Sequence, residues 1–236
     1  MADCTYRSNM ISMETRLDRF KDMWVKGDTK WHTRGVNPLL LKHQHILLSL
    51  KKPMKVFVPL CGKDDSMKWL AEQGHTVVGV DFSDIACKNF FLDNNLEYIK
   101  EDIQNSHVNG HIYKAIHDQL NLSIYYCDYF QLVPELQHDF DAVWDRGALN
   151  AMDSVNVARY ASVMVPLMTE ECVNFTEIVH GFPEAISIET IRSAFGETFI
   201  VESIDKVGPH NEHYKNVGAT AFELLCVKRK RLTNSL

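Results

Sequence analysis

Apolar positions between residues 54 and 81 change their period twice, and the changes mark a strand, a turn, a helix and a second strand. Val56, Phe57 and Val58 form the unbroken run that a strand buried on both faces needs, and Pro59 to Lys63 break it with a proline and a glycine. Met67, Leu70 and Ala71 then recur at helical spacing, with Asp64 or Asp65 as the cap and Gly74 as the left-handed stop. Thr76 to Val80 give a β-branched strand that ends on Asp81. Two parallel strands joined by one helix leave a crevice at their carboxyl ends, beside the free N–H groups of the helix.

The same alternation continues in both directions. Ser12 is positioned to cap a helix whose apolar residues Met13, Leu17, Phe20 and Trp24 lie on one face, with Gly27 as its stop; residues 1–11 before it are a polar leader. Residues 28–35 follow without periodicity but with Trp31 and His32, so 12–35 is expected to be a helix and lid. Pro38 to Leu50 predicts a second helix, whose His43 and His45 are expected in solvent. After Asp81, Ser83 caps a helix to about Asp93 with Phe90 and Phe91 inward, and Leu96 to Leu120, with His107, His111 and His117, is expected to be a solvated excursion.

Strands are predicted at Leu122 to Cys127, Phe140 to Trp144 and Cys172 to Val179. Ser154 is expected to cap a helix through Met168, and another helix runs from Ser187 to Phe195. Two last strands, Phe199 to Val207 and Ala221 to Val227, are joined by a polar loop, Gly208 to Thr220. The expected architecture is α/β and Rossmann-like, a seven-stranded, mostly parallel sheet with helices on both faces and a C-terminal antiparallel hairpin. That terminal hairpin distinguishes the order from an ordinary dinucleotide domain and is typical of S-adenosylmethionine-dependent methyltransferases of class I.

Composition narrows the partners. A chain of 236 residues, 45% hydrophobic, holds one sizeable domain, expected over 12–236. The formal net charge of −6 argues against a nucleic-acid partner. No apolar run reaches the ~18 residues of a membrane span, and the basic run Lys228 to Arg231 is expected to be a solvated tail. Six cysteines without a C-x-x-C pair, several inside apolar strands, point to reduced thiols and a cytoplasmic protein. No histidine spacing matches a zinc pattern, so no metal is expected. Asn121 and Asn174 match the glycosylation pattern but fall at or within predicted strands.

The first strand–turn–helix unit carries the candidate chemistry. Asp81 follows Gly62 at close to the ~20-residue offset at which such folds place a carboxylate on a ribose. The turn holds one glycine where the dinucleotide fingerprint has three, which disfavours a nicotinamide enzyme and suits a cofactor with a ribose but no pyrophosphate.

Four segments, WVKGDTKWH (24 to 32), VFVPLCGKDDSMKWLAEQGHTVVGVDFS (56 to 83), NFFLDNNLEY (89 to 98) and FDAVWDRGAL (140 to 149), together resemble the thiopurine S-methyltransferase family. The resemblance spans about Arg16 to Val227. It implies S-adenosylmethionine as cofactor and methyl transfer to the sulfur or selenium of a small aromatic or heterocyclic thiol. It also implies Phe20 and Trp24 over the cofactor, Leu60 and Gly62 at its methionine portion, Asp81 on the ribose, Asp128 and Tyr129 at the adenine, and Arg146 near the methyl group. Arg146 would favour an ionised acceptor and so serve catalysis, while Asp145 is expected to be structural. Trp31 and His213 would meet the acceptor. His213, in NEHYKNVG, stands where vertebrate members have an arginine, and HGFPEAIS (180 to 187) is shorter than their corresponding loop. A monomer is expected. Inorganic selenium or tellurium species, or an amine, are alternative acceptors, and a non-catalytic binder of the same cofactor is compatible with these residues.

Overall fold

The computed structural model describes residues 19–50, 52–116, 120–181, 185–209 and 212–231. The leader, Ser12, Met13, Leu17, His117 and residues 182–184 of the short loop therefore lie outside the described residues. Strands β1 (Lys55–Pro59) and β2 (Thr76–Asp81) run parallel, from Lys55 opposite Thr76 to Pro59 opposite Val80, with helix α3 (Ser66–Glu72) between them. On one side β5 (Leu122–Tyr126) adds parallel to β2. On the other, β6 (Phe140–Arg146) adds to β1 and β7 (Met168–His180) to β6, both parallel. The chain thus builds outward in both directions from β1, and the crevice of such a sheet lies at the carboxyl ends where the order reverses.

Among the described residues the sheet has nine strands, in the order β3-β4-β5-β2-β1-β6-β7-β9-β8, rather than the expected seven. The C-terminal arrangement is as expected, with β9 (Ala221–Arg229) antiparallel between β7 and β8 (Phe199–Val207). The surplus is a hairpin, β3 (Tyr98–Asp102) and β4 (His111–Ala115), in the segment expected to be a solvated excursion. Its pattern hides the strands because β3 is an edge strand exposed over Ile99 to Asp102, so no apolar alternation marks it. Lys100, Glu101 and Asp102 there also blunt the edge against further pairing. Tyr113, fully buried on β4, anchors the hairpin, with its hydroxyl donating to Asp84.

The pleat divides the core. Val56 and Val58 face one side with Leu40 and Leu47 of α2 (Pro38–Leu47), Met67 and Leu70 of α3, and Phe90 and Phe91 of α4 (Asp84–Asp93). Phe57 faces the other, with Tyr160 and Met164 of α5 (Val157–Met164) and Ile191 and Phe195 of α6 (Ile188–Phe195). Helix starts follow the expected chemistry at Ser83 and Ser187, whose side chains accept the N–H groups of Ala86 and Thr190. Ser154 does not cap α5: it opens a 3-10 turn, and the helix begins at Val157. Strand β7 begins four residues before the predicted start at Cys172, and the loop before β9 contains a short helix, α7 (Glu212–Asn216).

Two polar expectations are also corrected, and one on glycosylation is met. His43 is largely buried, with its Nε2 2.8 Å from the Asp205 carboxylate, because α2 lies against the sheet there. Lys228 and Arg229 are not tail but part of β9, where Lys228 pairs with Glu202 and Arg229 lies over Phe199. Of the glycosylation matches, Asn174 is fully buried within β7. Cys61, Cys87, Cys127, Cys172 and Cys226 are free, buried thiols. No helix among the described residues is long and apolar enough to cross a membrane.

Gly79 shows how closely α3 sits on β2. A Cβ there would lie 2.8 Å from Cys61 Sγ and 2.9 Å from Met67 Sδ. Gly79→Ala is therefore expected to cost about 1–3 kcal/mol by overpacking, read as a lower midpoint in urea with an unchanged slope.

Candidate functional site

The turn after β1 is left-handed at two positions, Leu60 (φ 41°) and Gly62 (φ 52°). A leucine pays a steric penalty in that region, so neighbouring contacts must hold it. The Cys61 N–H donates to Val80 O at 2.9 Å, and the Gly62 N–H to Asp81 Oδ2 at 2.8 Å. The other Asp81 oxygen accepts the Ser83 N–H, also at 2.8 Å. Asp81 is 2% exposed, and burial pushes its carboxyl up to about 6 against the lowering by the Ser83, Gly62 and Phe82 N–H groups. Its visible role is to tie the ends of β1 and β2 together.

Beside this turn opens a cavity of about 410 Å³, walled by Leu60, Phe82, Gly110, Cys127, Asp128 and Met152 among others. Of the sequence-predicted residues, Leu60, Asp128 and Tyr129 line it, whereas Phe20, Trp24, Gly62, Asp81 and Arg146 do not. Asp128 Oδ1 accepts the Phe130 N–H at 2.9 Å. Tyr129 belongs mostly to the core: it stacks between Phe57 and Tyr160, and its hydroxyl donates to Tyr160 O at 2.9 Å. Sequence reasoning missed Phe82, Gly110 and Met152. Gly110 carried a signal as an isolated glycine among polar residues: a Cβ there would fall 1.9 Å from Tyr126 O.

An aromatic cluster covers the turn. The first helix, described over 19–26 and here called α1, brings Phe20 and Trp24 to Trp31, at ring-centroid distances of 5.5 Å and 5.9 Å, both edge-on. Trp24 is 6% exposed, and a Cβ on Gly62 would meet its ring at 3.3 Å, so the single glycine of the turn is what lets the indole seat. The segment after Trp31 is fastened by charge. Arg34 reaches Asp65 and Asp93, each at 3.3 Å, and the Gly35 N–H donates to Asp65 Oδ2 at 2.7 Å. Asp65 is thus committed to the lid, and it is Asp64 that accepts the Ser66 N–H at the start of α3.

Arg146 stands at the end of β6, outside the cavity and tied to the lid. It donates to Thr33 Oγ1 at 2.7 Å, and its Nε lies 3.8 Å from Glu177 Oε1. Burial would lower its pKa, but Asp64 and Glu177 hold it above the ordinary value. Glu177, 3% exposed on β7, also accepts the Asn37 Nδ2–H at 2.8 Å. Burial pushes the Glu177 carboxyl up, and Arg146 and Asn37 oppose the shift. Asp145 is structural, as expected: it accepts the Tyr160 hydroxyl at 2.7 Å and the Ala148 N–H at 2.9 Å, and burial pushes its carboxyl up to about 7.

His213 packs edge-on against Tyr214 on α7, and it is Tyr214 whose pKa registers the charges of Arg146 and Glu177, after the larger effect of its own burial. Tyr214, beside it on the same short helix, packs on Phe222 of β9. Burial, then Lys63 and Arg146, lower His32 to about 4, so its ring is neutral near pH 7. Its Nε2 is buried without a partner in the protein.

A cofactor with a nucleoside and an amino-acid portion fits these residues. The cavity lies within the ~300–1,000 Å³ range of small-molecule sites, with apolar plates (Leu60, Phe82, Met152) and a carboxylate, Asp128, on its wall. Leu60 lines it, Gly62 two residues on lies against Trp24, Trp24 packs on Trp31, and Thr33 accepts from Arg146. The buried, unpartnered His32 Nε2 is a polar atom that a bound molecule could satisfy.

Comparison with known proteins gives one family. Residues 15–229 match the family model described as Thiopurine S-methyltransferase (TPMT). The chain is 32% identical over 209 residues to "Probable thiopurine S-methyltransferase" of Danio rerio, covering 86% of this chain and 89% of that one. It is 33% identical over 210 residues to "Thiopurine S-methyltransferase" of Canis lupus familiaris, covering 86% and 84%. Among solved structures, the fold is similar to a Burkholderia thailandensis 1,6-didemethyltoxoflavin-N1-methyltransferase with bound S-adenosylhomocysteine (TM-score 0.64, 14% identity, 94% and 91% covered). It is also similar to TehB from Haemophilus influenzae (TM-score 0.58, 13% identity, 89% and 67% covered).

Two outcomes are expected. Arg34→Ala removes the ionic fastening of the lid, so limited proteolysis between Gly27 and Gly35 should accelerate several-fold while the global unfolding midpoint moves little. Asp145 has a raised folded-state pKa, so between about 4 and about 7 the folded state carries a proton that the unfolded state lacks. Its contribution therefore falls as pH rises through that window. Urea titrations from pH 4.5 to 7.5 should show a shallower decline in Asp145→Asn than in the parent protein.

Proposed function

Since the chain belongs to the thiopurine S-methyltransferase family, of S-adenosylmethionine-dependent enzymes, we propose that it methylates the sulfur of a small aromatic or heterocyclic thiol. The observation that carries this reading is what meets at the turn of Leu60 to Gly62: Leu60 lines a nucleoside-sized cavity, Gly62 seats Trp24 of the aromatic lid, and Thr33 of the same lid holds the buried guanidinium of Arg146. In this reading the cavity between Leu60, Phe82 and Met152 takes the adenosine, with Asp128 as hydrogen-bond acceptor. The Gly62 turn under Trp24 takes the methionine portion.

S-adenosylmethionine supplies a methyl group on a positively charged sulfur, which leaves as a neutral thioether when the thiolate forms the new carbon–sulfur bond. The chain's own residues then have three tasks. Trp24 and Trp31 exclude water and align the acceptor, Arg146 favours the ionised thiol electrostatically, and Thr33 holds the guanidinium to the lid. No nucleophile on the protein is required. The acceptor is a small molecule, and no nucleic acid or membrane enters the reaction.

The test is methyl transfer from S-adenosylmethionine to benzenethiol, followed by mass spectrometry of the thioether, beside calorimetric titration with S-adenosylhomocysteine. Turnover is expected. Binding of S-adenosylhomocysteine without transfer to any thiol, selenolate or amine would leave only a cofactor-binding protein. Trp24→Ala should weaken S-adenosylhomocysteine binding by about 1–3 kcal/mol, the scale of a lost buried aromatic contact, and an unchanged dissociation constant would remove Trp24 from the site.

A further inference from the structure

The charge around Arg146 decides which thiols suit this site. Two buried carboxylates face the guanidinium, Glu177 at 3.8 Å and Asp64, whose charge also acts on it. Asp64 is anchored by the Trp144 Nε1–H at 3.0 Å and the Ser66 N–H at 2.9 Å, and Glu177 by Asn37 at 2.8 Å, so neither swings away easily. The nearby cations are committed elsewhere: Arg34 to Asp65 and Asp93, and Lys63 to Asp93 at 2.7 Å. His32 is neutral. The surroundings of Arg146 therefore hold one positive charge against two negative ones.

We propose that Glu177 is a specificity-determining residue: as a second carboxylate beside Arg146, it makes the enzyme prefer thiols with no second negative charge over those that carry a carboxylate. The argument rests on the thiol reading above. A thiolate discharges its single charge in the reaction, because the sulfonium and the thiolate become two neutral thioethers. A ring carboxylate keeps its charge throughout and must be held beside Asp64 and Glu177, where like charges in a dry site repel. The carboxamide of Glu177→Gln keeps the shape and an acceptor for Asn37, and leaves the guanidinium balanced by Asp64 alone, which removes the excess negative charge that repels the second anion.

The experiment compares kcat/KM for benzenethiol and for 2-mercaptobenzoate in the parent protein and in Glu177→Gln. The parent should prefer benzenethiol by at least tenfold, and the variant should shift that ratio at least tenfold toward the carboxylate. A loss that is equal for both thiols would mean a merely structural role and overturns the proposal, as does a parent protein without the preference. The parent measurement stands even if the variant does not fold. A binding arm separates this idea from the thiol reading: affinities for thioanisole and 2-(methylthio)benzoate are measured with S-adenosylhomocysteine bound. Absent turnover with a tenfold difference in those affinities would sink the thiol reading and support the charge filter. Equal affinities would sink the filter.

Discussion

The hydrogen bond from the Gly62 N–H to the buried Asp81 carboxylate is the constraint on which the site depends. It joins the end of β1 to the end of β2 at the one place where the chain must leave the sheet through a left-handed Leu60 and Gly62. A hydrogen bond to a charged group is worth about 1.5–3 kcal/mol, and the Ser83 N–H adds a second, which together offset part of the cost of burying the acid. With the turn held there, Leu60 faces the cavity, α3 starts at Ser66, and Gly62 presents a surface without a Cβ on which Trp24 rests. A side chain at Gly62 would press on the indole and so on the whole aromatic cluster.

A second consequence comes from the pleat of β6. Trp144 and Arg146 point to the α2 and α3 side and Asp145 to the α5 side, so three consecutive residues have three different environments. Trp144 is spent on anchoring Asp64, and Asp145 on Tyr160 and the Ala148 N–H. Only Arg146 reaches the lid, through Thr33. The strand beyond, β7, contributes Glu177 in register with Arg146, which is why acid and base meet although far apart in sequence.

The central strands, most helix starts and the terminal hairpin were legible in the sequence because each is coded by neighbours within a few residues: apolar runs, serine caps, Gly74 as a stop. The β3–β4 hairpin was not, since an exposed edge strand has no core to pattern it. At the site, Leu60, Asp128 and the aromatic grouping of Phe20, Trp24 and Trp31 could be named from local motifs and family resemblance.

What the sequence alone determined was the order of elements, the turn that seats an indole on a glycine, and the family. The tertiary structure decided what each polar side chain does. Asp81 and Asp145 became buried ties, His43 found Asp205, and Glu177 met the guanidinium. The physical reason is range: periodicity and turn chemistry act between neighbours along the chain, whereas the partner of a buried charge is set by which strands pair and which face the pleat turns toward it.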